Sequence, residues 1–361
     1  MEKQKQTVFH IISSLSQFGG AERLLAGSLS ALSEKYENFV ITLSEPSQRN
    51  NLKHAKHVSL NAKGLGGFFT ALVQLKLLIK KHKPCIIHSH LFWPTIIARL
   101  ARTKKTPYLF TLHSMMGADA FERNVFYKFF EKITYNRTQY ILAISNEVLK
   151  DYDKWIGIKG PSTVLYNYIE NDFFDSGNVE LDYSDGFRLV AVGNIKPLKN
   201  YRRLISAIAQ ISNVPLSLDI YGSGPEQKEL QQYVNELKVP VNFKGSHTQI
   251  VNVLPRYNVF ILPSIYEGFG IAVVEAMAMG LPVLVSNLSS LREVTGGHAL
   301  YFDPANIDSI ADCIRNAWEN RDNLPTLAQN AQRRAAEISK KETYIEHLKS
   351  IYSSVSTPCV E

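Results

Sequence analysis

The stretch "NVFILPSIYEGFGIAVVEAMAMGLPVLVS", residues 258–286, carries most of the fold in one line. "NVFILPS" (258–264) and "LPVLVS" (281–286) are apolar runs of strand length, and the residues between them have helical composition. Strands that are almost continuously apolar and separated by helices belong to parallel sheets covered on both faces. "IYEGFG" (265–270) is then the loop at the carboxyl end of the first strand, with the helix starting near Gly270. Glu267 lies in that loop. Glu275, eight positions later, lies about a turn and a half into the helix, with its side chain leaning back toward the N-terminus. The two carboxylates bracket the helix-start N–H groups of the Gly268–Ile271 turn. Such N–H groups suit a diphosphate, and a carboxylate suits paired sugar hydroxyls. The competing reading is a capped buried helix with incidental acids, but a glutamate in so apolar a segment is costly without a partner.

The same alternation runs outward in both directions. Strand-like runs occur at 7–12, 38–44, 57–61, 85–90, 107–113, 139–145 and 162–167, with helical segments such as Ala21 to Leu32 and Phe121 to Tyr135 between them. "IENDFFDSGNVELDYSDG" (169–186) is polar, acidic and aperiodic, and reads as a link. Strands resume at 187–193, 216–222, 241–245, 258–264 and 281–286, and from about Asn306 the chain reads as helical. The expectation is an α/β fold of two doubly wound domains with a cleft between them, residues 1–170 and 187–361, the last helix either staying with the second domain or returning to the first. Ligands in such sheets bind beyond the carboxyl ends of the strands.

The totals agree. A chain of 361 residues is long enough for two cores, and 45% apolar with 20% charged residues is the balance of a soluble globular protein. No apolar run reaches the ~18 residues of a membrane span. The start "MEKQKQTVFHII" lacks a signal-peptide layout, so a cytoplasmic location is the default. Cys85, Cys313 and Cys359 are too scattered for a disulfide framework or a zinc site, and Cys85 and Cys313 read as packing residues. Residues 1–170 hold 23 Lys/Arg against 12 Asp/Glu, net +11, and the remainder 17 against 21, net −4. The first half therefore faces something anionic: nucleic acid, an anionic membrane or a phosphorylated substrate, the alternative being a merely solubilising surface.

Other strand ends carry candidate chemistry. "SSLSQFGGAER" (13–23) brings Gly19 and Gly20 to a helix start, where backbone N–H groups can meet an anion. "YGSGPE" (221–226) lacks the third glycine of a dinucleotide fingerprint. In "VGNIKPLKN" (192–200), Lys196 and Lys199 stand at or before a helix start, where a cation can meet phosphate. "DYD" (151–153) matches a metal motif of a different sugar-transfer fold but follows a helical stretch, so an acidic turn is the better reading. His88 and His90 in "HSH" are read as facing opposite ways on a strand and so unable to chelate one metal, with His90 lining an acceptor side or serving structure.

"YEGFGIAVVEAMAMGLPVLVS" resembles the E-x7-E signature of the family 4 retaining glycosyltransferases. "GGAER", "IIHSH", "TLH", "AIS", "VLYN", "VGNIKPLKN", "YGSGP" and "FKGS" follow the family's order over nearly the full chain. The resemblance implies the GT-B fold, two doubly wound Rossmann-like domains facing a cleft. It implies that the Gly19–Gly20 loop approaches the donor diphosphate and that Lys199 binds phosphate and offsets charge on the leaving nucleotide. Glu267 with the Gly268, Phe269, Gly270 and Ile271 backbone then holds the donor sugar. Glu275 binds ribose, His113 in "TLH" sits beside the transferred sugar, Gly222 lines the nucleotide site, and Ser246 lies near the base. One position departs: Asn194, placed by the resemblance in the nucleotide-sugar site, stands where many members have arginine, so that either diphosphate binding is weaker or Lys196 or Arg202 supplies the second cation.

The function so implied is transfer of a sugar from a nucleotide-diphospho-sugar, a UDP-sugar rather than a GDP-sugar, to a saccharide or lipid-linked acceptor. The setting it suggests is bacterial surface polysaccharide or lipopolysaccharide assembly. No cofactor, metal or nucleic acid is expected, since lysine and helix N–H groups do the charge work. Two alternatives are a nucleotide-sugar epimerase of the same architecture and a non-enzymatic basic membrane or nucleic-acid binding protein. Finally, "GLGGFFTALVQLKLLIKKHK" (64–83) places Leu65, Phe68, Phe69, Leu72, Leu75 and Ile79 at helical spacing beside Lys76, Lys80, Lys81 and Lys83. Such a helix can lie on the anionic inner leaflet of the cell membrane. The alternative is a helix packed on its own sheet.

Overall fold

The computed structural model describes residues 5–15, 19–44, 52–62, 64–103, 105–117, 124–176, 179 and 181–356. The chain forms two compact units, Met1–Asn167 with Glu342–Glu361, and Tyr168–Lys341.

The first unit is built on seven parallel strands: β1 (Gln6–Ile12), β2 (Tyr36–Thr42), β3 (Lys56–Ser59), β4 (Ile86–His90), β5 (Tyr108–Leu112), β6 (Gln139–Ala143) and β7 (Ser162–Val164). Their order, β3-β2-β1-β4-β5-β6-β7, reverses direction between β1 and β4. β4 is buried throughout although three of its five residues, His88, Ser89 and His90, are polar, so its side chains must find partners inside the unit. The closing helix, Lys341–Val355, lays Leu348, Ile351 and Tyr352 against Val8, Ile86, Leu109 and Leu142 of this sheet.

The second unit has six parallel strands: β8 (Phe187–Val192), β9 (Leu216–Tyr221), β10 (Val241–Gly245), β11 (Val259–Leu262), β12 (Val283–Ser286) and β13 (Leu300–Phe302). The order is β10-β9-β8-β11-β12-β13, so the direction reverses between β8 and β11. Leu189, Ala191, Leu218, Ile220, Val259 and Ile261 pack against Tyr201, Leu204, Ile205 and Ile208 of the helix Tyr201–Ala209.

Three expectations are revised. Residues 169–186 are not a bare link but part of the second unit. Ile169 N–H donates to Ser339 O at 3.1 Å, Phe173 is buried, and Asn258 bridges Asp182 O and Arg188 N at 2.6 and 2.8 Å. β13 had no signal in the sequence because three edge residues, two half-covered and Phe302 buried, are too few to show a period. In the helix Gly64–His82, Leu75 and Ile79 are buried, not exposed, because a doubly wound sheet needs its helices packed face down. The residues left outward are Phe69, Val73 and Leu77, four apart, with Lys76 and Lys80 beside them. Cys85 and Cys313 are buried free thiols, and burial pushes Cys313 up to about 12. Cys359, residues 121–123 of the helix expected to begin at Phe121, and the side chain of Leu65 lie outside the described residues. Among the described residues no helix is long and apolar enough to cross a membrane.

Candidate active site

In the second unit the two strands flanking the reversal send their loops to the same place. After β8, Pro197 opens a 3-10 turn, Pro197–Lys199, and Asn200 ends it in the left-handed conformation, φ 58°. The buried Asn200 amide donates to Pro263 O at 3.0 Å and to Pro304 O at 2.8 Å, tying this loop to those after β11 and β13. Ile265 N–H adds a bond to Leu198 O at 3.0 Å. This frame sets Lys199 Nζ 2.7 Å from Glu267 Oε2, both side chains being about one-fifth exposed at 23% and 17%. Two residues separated by 68 positions and singled out independently in the sequence are thus in direct contact.

The Glu267 loop is held from its other side, where Ser290 Oγ donates to Glu267 O at 2.5 Å. Gly268 and Phe269 are buried. Gly270 has φ 82°, and a Cβ there would come within 2.8 Å of Leu291 Cδ2, so only glycine turns the chain into the helix Ile271–Ala278. Ile271 opens that helix and Glu275 is its fifth residue, half-buried.

The ends of β8, β9 and β10 are packed backbone to backbone. A Cβ on Gly222, φ 151°, would stand 1.9 Å from Gly193 O. Gly222 thus lets two strand ends touch, a packing duty that the sequence reading, which assigned it to the ligand, had missed. Ser246 Oγ lies 2.8 Å from Ser223 Oγ across the next pair of ends. Asn194 and Lys196 are exposed, and Lys196 forms no ion pair among the described residues. Arg202 is committed elsewhere: it pairs with Glu229 at 2.8 Å and lies 4.2 Å from the Tyr233 ring centre.

In the first unit, Gly19 and Gly20 are exposed at the start of the helix Gly20–Leu32. The Gly19 N–H is not vacant as expected: Glu22 folds back and accepts from it and from its own N–H, while burial raises the Glu22 carboxyl above the usual range. "DYD" sits inside the helix Asn146–Trp155 rather than in a turn, and Asp151 accepts from Gly117 N–H at 2.7 Å and Asp153 from Ile158 N–H at 2.8 Å.

At the ends of β4 and β5 four histidines gather. His113 Nε2 lies 3.1 Å from His90 Nδ1, the His90 and His88 ring centres are 4.1 Å apart, and those of His88 and His10 are 6.0 Å apart. His88 and His90 thus share one face of β4, contrary to the sequence expectation. Successive strand residues alternate, so residues two apart return to the same side. Burial holds all four below the ordinary imidazole value, His10 and His113 at about 4. Nitrogens of His10, His88 and His90 lie within 4.8 Å of one another, the spacing of a metal site. Yet His88 has both ring nitrogens engaged, Nδ1 with Tyr352 OH at 2.6 Å and Nε2 with Thr111 Oγ1 at 2.7 Å, so three open lone pairs do not converge there. Leu91, immediately after His90, has φ 68°, a costly conformation for a bulky side chain and a mark of a constrained strand end. Beside it His113, Thr111, Met116 and Glu131 help to line a recess of about 20 Å³. Glu131 is paired in the interior with Arg99 at 2.5 Å and accepts from Tyr152 OH at 2.9 Å, a buried pair with no sequence signature.

Comparison with known proteins covers both units. Residues 18–173 match the family described as Glycosyltransferase Family 4, and residues 175–334 the family described as Glycosyl transferases group 1. An uncharacterised glycosyltransferase of Methanocaldococcus jannaschii is 24% identical over 334 residues, 89% of this chain and 87% of that protein. The O-antigen chain mannosyltransferase RfbU of Salmonella typhimurium is 29% identical over 203 residues, which is 55% of this chain and 56% of that protein, about half the length of each. A crystal structure of Anabaena HepE in complex with UDP-glucose superposes with a TM-score of 0.81 at 20% identity, over 97% of this chain and 100% of that one.

Proposed function

The chain belongs to the family 4 glycosyltransferases of GT-B fold, and from that premise we propose that it moves a hexose from a UDP-sugar to a saccharide or lipid-linked acceptor, with retention at the anomeric carbon. The observation that carries this reading is the 2.7 Å contact between Lys199 and Glu267 at the reversal of the second sheet. An anion and a polyol bound beyond those strand ends would find an ammonium, a carboxylate and the Gly268–Ile271 helix start side by side.

In this reading Lys199 faces the diphosphate and neutralises the charge that grows on it as the sugar–phosphate bond breaks. Glu267 accepts hydroxyl hydrogen bonds from the donor sugar, Glu275 does the same for ribose, and His113 hydrogen-bonds the transferred sugar. The acceptor oxygen attacks on the face the leaving group departs from, and its proton passes to the departing phosphate oxygen. The protein contributes position and electrostatics and needs no divalent metal, because the lysine and backbone N–H groups supply the positive charge. The UDP preference is supported by the UDP-glucose held by HepE, and a role in surface polysaccharide or lipopolysaccharide assembly by the similarity to an O-antigen mannosyltransferase.

The acceptor side of the proposal is peripheral binding to an anionic inner leaflet. Val125, Phe126, Phe129 and Ile133 are exposed on the helix Val125–Thr134, and Phe69, Val73 and Leu77 on Gly64–His82. Trp93 links the two, its ring centre 6.1 Å from Phe68 and 6.3 Å from Phe126. Exposed Lys76, Lys80 and Lys132 flank this apolar surface, the pairing that an anionic bilayer rewards.

Titration calorimetry with UDP, GDP and ADP tests the donor site. UDP is expected to bind tightest, and Glu275→Gln to weaken it about tenfold through loss of charge-assisted bonds to ribose. Equal affinity for all three nucleotides would remove the UDP preference, and an unchanged variant would remove the ribose role. Turnover of a UDP-sugar that gives no product joined to an acceptor would refute transfer itself.

A further inference from the structure

We infer that His90 donates its Nδ1–H to Nε2 of His113 and so fixes His113 with its own proton on Nδ1, a hydrogen-bond donor and not a base. The two rings share one proton across 3.1 Å, which leaves two neutral arrangements. If His113 were the donor, His90 would have to carry its proton on Nε2. That atom is buried and has no hydrogen-bond partner. The nearest ring, His88, offers it nothing, because both of its nitrogens are already engaged by Tyr352 and Thr111. A buried N–H with no acceptor is among the rarest and costliest defects in a folded interior. If His90 is the donor, the unpartnered atom is instead a bare lone pair, the milder defect. His113 Nε2 then accepts, and its only proton sits on Nδ1, the ring nitrogen left for a ligand.

Burial favours the neutral rings that this argument assumes, since His90 is 4% exposed and both imidazoles are held below their ordinary range. His90 in turn packs 4.1 Å, ring centre to ring centre, against His88, which is clamped at both nitrogens, so the orientation of the pair is set by β4, β5 and the closing helix. His90 is thus a positioning residue that acts through His113. The consequence for chemistry rests on the proposed function: His113 can donate to a sugar oxygen, but it has no lone pair with which to take the acceptor's proton. Proton transfer must then go elsewhere, which agrees with a leaving phosphate that accepts it.

Nitrogen-15 NMR of the imidazole rings in the wild-type protein reads the tautomers directly, without activity and without mutation. The expected result is Nδ1–H on both His90 and His113; Nε2–H on His113 overturns the inference. Kinetics give a second reading. His90→Asn can place an amide N–H where Nδ1 stood and should keep turnover within about threefold of wild type. His90→Asp can only accept, drives the proton of His113 to Nε2, and should lower turnover at least about tenfold with little change in donor KM. Equal rates for the two variants also overturn it. Absence of transfer by the wild-type protein would sink the proposed function while the NMR result still decided the tautomer.

Discussion

At the carboxyl ends of β8 and β11 the polar groups are charged, partly exposed and paired, Lys199 with Glu267. At the carboxyl ends of β4 and β5 they are neutral imidazoles, His88 and His90 buried and His113 half-buried, joined by a 3.1 Å hydrogen bond and by close, tilted rings. The two sheets share one architecture and one reversal of strand order. The same topological position therefore hosts two kinds of electrostatics. A charged pair can exchange partners with an incoming diphosphate, whereas a neutral, clamped chain of rings holds direction and little else. Under the proposed function the difference would give charge compensation to the second unit and orientation to the first, and each assignment can be broken.

The largest effect is expected from Lys199→Ala. Removing a preorganised cation that meets developing charge costs on the order of 10³-fold in turnover. The rate should fall in a steady-state transfer assay, while nucleotide binding weakens less than the rate does. A variant within a few-fold of wild type would move the role to exposed Lys196 and would break the contrast, because the charged pair would then be merely structural.

Acid sharpens the contrast next. His10 is buried, and its folded value of about 4 lies below the ordinary 6.5. Between those values the unfolded chain takes up a proton that the folded chain refuses. Stability is therefore full above about pH 6.5, is lost as the pH falls toward about 4, and levels off below, a loss of about 3 kcal/mol for one such ring. His113 acts in the same direction. Among the described residues the second unit holds no such cluster. Hydrogen exchange at about pH 5 against about pH 7 should therefore show β1 and β4 losing protection before β8 and β11. Equal loss in both sheets, or earlier loss in the second, would show that the imidazoles are not what sets the acid limit.

Much of this was legible in the residues, for identifiable reasons. Buried parallel strands are written as apolar runs, so β1 to β12 could be placed within a few residues of their observed limits. The Lys199–Glu267 contact was half legible: both residues follow strands at the reversal, but nothing in the sequence says that they touch. Asn200 escaped because an asparagine in a loop looks like any turn residue until its amide is seen to bridge three loops. The histidine cluster escaped because it is assembled from β1, β4 and β5 together with Tyr352 of the closing helix, and the strand-face reading of His88 and His90 was simply wrong. Arg99 and Glu131, 32 positions apart, show no pattern in one dimension that would mark them as an interior pair.

The smallest expected effects per residue belong to the surface of the first unit, and they decide whether the net +11 of residues 1–170 has a partner. The helix face that the sequence put forward is mostly turned inward, and the apolar surface is instead shared between Gly64–His82 and Val125–Thr134. Each lysine near an anionic bilayer contributes about 1 kcal/mol, and each inserted aromatic ring a comparable amount because a ring lying at the interface is only partly buried. Neither alone should abolish binding. Lys76→Glu with Lys80→Glu should reduce co-sedimentation with anionic vesicles and flatten its salt dependence. Phe126→Ser with Phe129→Ser should reduce binding at all salt concentrations, since apolar insertion is not screened. Binding that responds to the lysines but not to the phenylalanines would leave electrostatic attraction without insertion. Equal recovery with neutral and anionic vesicles would remove the membrane altogether, and a soluble acceptor would then be the better reading of the same basic half.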